Sequence, residues 1–166
     1  MAHFLRAIIA SKSDIEHCEY PGLATTVDLP QSYCMLPLTV KVLLSIYEQS
    51  DSNSYISGFL YLKSSVLDWL AQYFLSGTFA LVENDTFGGV GEQSSLVWKD
   101  GKCIFGPIHT ETDTSKPYTN ENISLDDAAI NQALRLIGVI KGTEDEFDAL
   151  DLGKYRNPED WVLRDA

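Results

Sequence analysis

The chain has 166 residues, 45% of them hydrophobic, with seven Phe, eight Tyr and three Trp. That is enough apolar material for the core of one domain and excludes wholesale disorder. Its 12 Lys and Arg against 24 Asp and Glu leave a formal charge of −12, which argues against direct binding to nucleic acid or to an anionic membrane surface, since both need a basic face.

In chain order, residues 4–10 form an apolar run that reads as a buried strand. Residues 25–29 follow a Pro21-Gly22 turn and are expected to pair with that strand. Pro30 and Pro37 bracket a short extended piece at 33–36. The spacing of Val40, Leu43, Leu44 and Tyr47 predicts a helix over 40–49 with those residues on one face. A polar loop at 51–54 precedes a second helix over 65–75, with Ser64 as its N-cap and Gly77 just past its end. That helix is apolar on most sides, as expected of one buried on more than one side.

A strand at 78–83 leads into the loop Gly88-Gly89-Val90-Gly91. Strands at 94–98 and 102–105 flank Asp100-Gly101, a type I′ hairpin signal because both central residues must take positive φ. Gly106-Pro107 is expected to end the second of them, and 110–121 reads as a polar surface loop. Ser124 and Asp127 have capping-box spacing before a helix whose face is Ala129, Ile130, Ala133, Leu134 and Ile137 and which stops at Gly138. Thr143 and Glu146 repeat that spacing, and Asn157-Pro158 pairs an Asn cap with Pro at the first helical position. Strands and helices do not alternate regularly. The expectation is therefore a single α+β domain over 1–166, with a mixed or mainly antiparallel sheet and about three helices.

No segment reaches eighteen unbroken apolar residues, and the first residues lack a charged stretch followed by a long apolar run, so a cytoplasmic location is expected. Cys18, Cys34 and Cys103 show no metal-ligand or redox spacing, and His3, His17 and His109 form no paired motif. No cofactor or metal is expected. The glycine loop lacks the Lys-Ser/Thr ending of a phosphate-binding loop, and strand rather than helix follows it, so helix N-terminal amides are missing. A tight connection needing positive φ is the simpler reading. Glu83, Asp85 and Glu92 flank that loop and His109 follows Gly106-Pro107 at an expected strand end. These are the groups an acid/base enzyme centred on Gly88 to Gly91 would use.

The acidic C-terminal region carries more weight. Glu144, Asp145, Glu146, Asp148, Asp151, Glu159, Asp160 and Asp165 face only Lys154, Arg156 and Arg164. One reading is a solvated helical face. The other is an acidic patch rimmed by Tyr155 and Trp161 that meets a basic partner, since aromatics beside complementary charge are the usual makings of an interface hot spot.

Three blocks carry a resemblance: Phe87-Gly88-Gly89-Val90-Gly91-Glu92-Gln93, residues 130–139, and residues 146–150 through Asp160-Trp161. Together they resemble a group of small bacterial proteins of mostly unassigned function. In size, acidity and expected location the chain also resembles the immunity proteins of contact-dependent inhibition and other polymorphic toxin systems. That resemblance implies a non-enzymatic inhibitor whose partner is the C-terminal domain of a cognate toxin, often a nuclease (a ribonuclease, for example) with a basic cleft. The class has no shared site motif, so the partner-binding residues expected here, Glu144, Asp145, Glu146, Asp148, Asp151, Tyr155, Glu159, Asp160 and Trp161, come from the charge pattern alone. The alternatives are the loop-centred hydrolase-like enzyme and an acidic mimic of nucleic acid.

Overall fold

The N-terminal apolar run becomes the central strand, β1 (His3–Ser11), of a six-stranded sheet in a computed structural model describing residues 2–21, 24–51, 54–113 and 125–165. The other strands are β2 (Val27–Asp28), β3 (Tyr33–Pro37), β4 (Thr78–Phe87), β5 (Val90–Lys99) and β6 (Lys102–Asp113). Their order is β2-β3-β1-β4-β5-β6, and every pairing is antiparallel. The expected α+β class holds, with the sheet wholly antiparallel.

Alternation explains why β1 is apolar almost throughout. Ile8 and Ala10 enter one core and Leu5, Ala7 and Ile9 the other, because successive side chains point to opposite faces. An antiparallel sheet often leaves one face to water and shows polar alternation. Here helices cover both faces, so the alternation is lost. The helices are α1 (Lys12–Glu16), α2 (Val40–Glu48), α3 (Ser65–Tyr73), α4 (Ala129–Leu136), α5 (Glu146–Ala149) and α6 (Pro158–Asp165). They are six among the described residues rather than about three, chiefly because α1 and α5 are single short turns. Packing with α2 and α3, Leu36, Phe79, Leu81, Leu96 and Trp98 build the first core. Met35, Ala80, Val82 and Val97 build the second with Ile130, Leu134, Leu150, Leu152 and Trp161.

Several local expectations change. Residues 27–28 pair with β3, not β1, because β3 and β4 already occupy both edges of β1. On α2 the buried residues are Val42, Leu43 and Ile46, while Val40 and Leu44 are 56% and 55% exposed. Two apolar stripes overlap in this helix, and packing against α3 and the sheet selects one. The Ser64 side chain does not cap α3, and the helix stops at Tyr73, so Gly77 is not its C-terminal glycine. Gly77 instead donates its N–H to Asp100 Oδ1 at 3.0 Å.

Both tight turns behave as their glycines require. Asp100 and Gly101 have φ of 47° and 85°, and Gly88 and Gly89 have φ of 61° and 89°. The latter pair is the two-residue turn of the β4–β5 hairpin, with Phe87 opposite Val90. Strand β6 runs straight past Gly106-Pro107. Gly106 takes φ +78° before a cis peptide bond, and the register shifts between Ser95 and Val97. This bulge accommodates one irregular residue without ending the strand. A side chain at 106 would sit 2.7 Å from the Ser95 carbonyl oxygen.

Helix α4 ends as expected. Gly138 at φ +100° donates to Arg135 O, and Val139 N–H reaches Leu134 O. Asn157 Oδ1 accepts from Asp160 N at 2.9 Å ahead of Pro158. Gly22, Ser52, Asn53, Ser124 and residues 114–121 of the expected polar loop lie outside the described residues.

Candidate functional site

Helix α5 is a single turn pinned by its neighbours. Its N-cap is Asp145, not Thr143: Oδ1 accepts from Asp148 N at 2.9 Å. Asp145 Oδ2 also accepts from Asn131 Nδ2 at 3.1 Å, and Asn131 Oδ1 accepts from Phe147 N at 2.8 Å. The buried Asn131 on α4 therefore clamps both ends of the first turn of α5.

The nine expected partner-binding residues divide. Glu144, Asp145, Asp148 and Asp151 surround α5 and reach the surface, with Asp145 only partly exposed. Their charges crowd one another. Partial burial, and then the neighbouring Asp145, Glu144 and Asp151, push the Asp148 carboxyl above its ordinary range. Among the described residues no Lys or Arg lies within 4 Å of these four carboxylates. An open cleft of about 670 Å³, lined by Gln31, Tyr33, Ile140 and Glu144 among others, adjoins this cluster.

Glu159 and Asp160 belong to the first turn of α6, a separate element. Glu159 Oε1 accepts from Val40 N at 2.9 Å and so serves the start of α2. Asp160 stands 3.9 Å from Arg164 one turn on.

Glu146 and Trp161 do not sit on a surface. Glu146 is 1% exposed, and its Oε1 accepts from Arg135 Nε at 2.8 Å. Having Asp145 as the cap turns the next side chain inward, toward α4. Trp161 is 1% exposed and fills the second core with Leu150 and Leu152. Tyr155 is half-buried, lies edge-on to Trp161 at 4.9 Å, and donates its hydroxyl to Asp165 Oδ1 at 3.0 Å. The aromatic rim expected for the patch is core packing instead. An indole interrupting carboxylates in sequence marks an amphipathic helix as well as it marks an interface.

The groups named for an acid/base enzyme sit on the other face of the sheet. The Glu83 carboxylate is buried and accepts from three consecutive amides: Leu60 N at 2.6 Å, Tyr61 N at 3.1 Å and Leu62 N at 3.0 Å. Burial raises its carboxyl above the ordinary value, partly offset by those amides and by Arg6. Asp85 accepts from the Tyr61 hydroxyl at 2.8 Å. His109 lies in the middle of β6, not at a strand end.

A Ser–His–Glu series appears there that sequence reasoning missed, because only strand pairing brings its members together. Ser94 Oγ is 2.9 Å from His109 Nδ1, and His109 Nε2 is 3.8 Å from Glu92 Oε1. Ser94 donates to the Gly58 carbonyl at 2.6 Å. With its one proton committed there, it accepts from His109 Nδ1–H. That polarity is the reverse of what activates a serine nucleophile. Among the described residues no group of three or more His, Cys, Asp or Glu side chains is placed to hold a metal ion, and no helix is long and apolar enough to cross a membrane. Comparison with known proteins returned no matching family model, no matching curated protein and no matching solved structure.

Proposed function

We propose that this chain is an immunity-type inhibitor that binds a basic toxin domain, a nuclease by preference, and blocks its cleft without performing chemistry. The observation that carries the reading is the crowding of Glu144, Asp145, Asp148 and Asp151 around α5 with no cation beside them among the described residues. Like charges held together cost folding stability, and a cationic partner relieves that cost on binding. The overall charge of −12 supports the same direction of attraction. The loop-centred enzyme is less well supported: its turn is an ordinary hairpin turn, and Glu83 and Ser94 serve to anchor neighbouring backbone.

The test is co-expression with the C-terminal domain of whatever large exported protein is encoded immediately upstream. Restored growth together with a stable one-to-one complex is the expected result. A domain that kills equally well with this chain present refutes the reading. In that complex, Glu144→Lys with Asp148→Lys and Asp151→Lys should slow association about ten-fold or more at low salt and flatten its salt dependence.

A further inference from the structure

The strand register places three carboxylates in one row. Asp85 on β4 is directly opposite Glu92 on β5, and Glu92 is directly opposite Glu111 on β6. Alternation puts all three on the face that carries Leu81 and Leu96. Side chains directly opposite in an antiparallel pair are neighbours, and like charges there are destabilising. A fold that only needed solubility has cheaper places for these charges.

The same end of the face carries exposed apolar groups. Helices α2 and α3 pack over Phe79, Leu81, Leu96 and Trp98. Toward the β4–β5 turn, Phe87 is 72% exposed, Val90 is 37% exposed and Tyr61 is 43% exposed. Tyr61 is held rigidly, its N–H on Glu83, its hydroxyl on Asp85 and its ring under the Arg6 guanidinium at 4.7 Å. The cations of this region are already engaged: Arg6 over Tyr61, and Lys63 over Tyr47 and Tyr55. Among the described residues only His109, 3.8 Å from Glu92, approaches the row. An apolar centre beside a row of like charge, on pre-ordered side chains, is the composition of a protein-binding surface. At the α5 cluster Trp161 supplies no such centre, because it is buried.

We propose that this end of the sheet face, Tyr61, Phe87 and Val90 beside Asp85, Glu92 and Glu111, is the surface that docks a basic protein segment carrying an apolar side chain among its Lys and Arg. The proposal rests on the reading of a basic partner and adds, on the sheet, an apolar anchor to the long-range attraction of the α5 cluster. Charge complementarity selects this occupant: the row offers carboxylates, so the complementary segment is cationic.

The experiment titrates isotope-labelled protein with the peptide Lys-Arg-Trp-Lys-Arg-Leu-Arg and follows backbone amide shifts. The expected result is saturable shifts centred on Tyr61, Phe87, Glu92 and Glu111, with Kd raised at least ten-fold by Glu92→Lys with Glu111→Lys. The milder Glu92→Gln should weaken binding and, at pH 8 and low salt, raise Tm by about 1–3 °C. This keeps the proposal testable if the double reversal fails to fold. Shifts centred on Glu144, Asp148 and Asp151 overturn the sheet-face surface while leaving the basic-partner reading standing. Absence of saturable binding also overturns it, and the growth assay then decides the inhibitor reading separately. Concentration-dependent shifts on this face without peptide assign it to a second copy of the chain and overturn the proposal as well.

Discussion

Trp161 separates the two ways of reading the acidic C-terminal region. As an interface anchor it would be dispensable for folding; as core it would not. The indole is 1% exposed and packs with Leu150, Leu152 and the Tyr155 ring. A buried Trp removes roughly 150–250 Å² from water, worth about 4–6 kcal/mol at ~25 cal/mol per Å² as an upper bound. Truncation of a buried aromatic to Ala costs about 3–5 kcal/mol, a large part of the ~5–15 kcal/mol that holds a domain together. The indole N–H has no hydrogen-bond partner among the described residues. Trp161→Phe therefore loses volume but also removes an unsatisfied donor, which offsets about 1–3 kcal/mol. Equilibrium urea unfolding of both variants is the assay. The expected order is a small loss for Trp161→Phe and at least ~3 kcal/mol for Trp161→Ala. Trp161→Ala within about 0.5 kcal/mol of the parent, the range of ordinary surface substitutions, would refute the core placement.

Glu83→Ala leaves the Leu60, Tyr61 and Leu62 amides without their acceptor, so it should cost at least ~2 kcal/mol and speed hydrogen exchange at those amides before others. Unchanged exchange there would contradict the anchoring role. Because burial raises the Glu83 carboxyl above 4.5, the folded state holds that proton more tightly than the unfolded chain. Its contribution to stability is full below about 4.5 and is lost as pH rises through the raised folded value. Subtracting the pH–stability profile of Glu83→Gln from that of the parent should give a difference that declines with rising pH; a difference that grows would reverse the assignment. For the thiols, burial pushes both Cys18 and Cys34 up to about 11, leaving about one in a thousand as thiolate at pH 8. Cys103 is exposed, and iodoacetamide followed by mass spectrometry should label it first. Equal labelling of Cys34 in the folded protein would be inconsistent with its burial.

Local patterns were readable wherever a residue's own backbone chemistry decided the outcome. Asp100-Gly101 and Gly88-Gly89 form turns because their positions need positive φ. Gly138 stops α4, and Asn157-Pro158 starts α6, through bonds made within a few residues. Patterns that named a face were less secure. On α2 the stripes through Val40 and Leu44 and through Val42 and Ile46 are equally apolar in sequence, and only the second is buried. The candidate site shows the same limit. Acidity around α5 was legible residue by residue, but neither the inward turn of Glu146 nor the burial of Trp161 follows from spacing.

By itself the sequence determined class, charge and most element types: an α+β chain of −12 with strands at 4–10, 33–36, 78–83, 94–98 and 102–105 and helices where the apolar period is 3.6. Those are local or additive properties, set by φ preferences, periodicity and residue counts. Only the tertiary structure decided what depends on residues far apart in the chain. It put residues 3–11 between 33–37 and 78–87, placed helices over both faces, and carried β6 past Gly106 on a bulge. Through register it aligned Asp85, Glu92 and Glu111 in one row and set Ser94 against His109. Register is a relation between strands, fixed by the packing of both cores at once, and no single segment contains it.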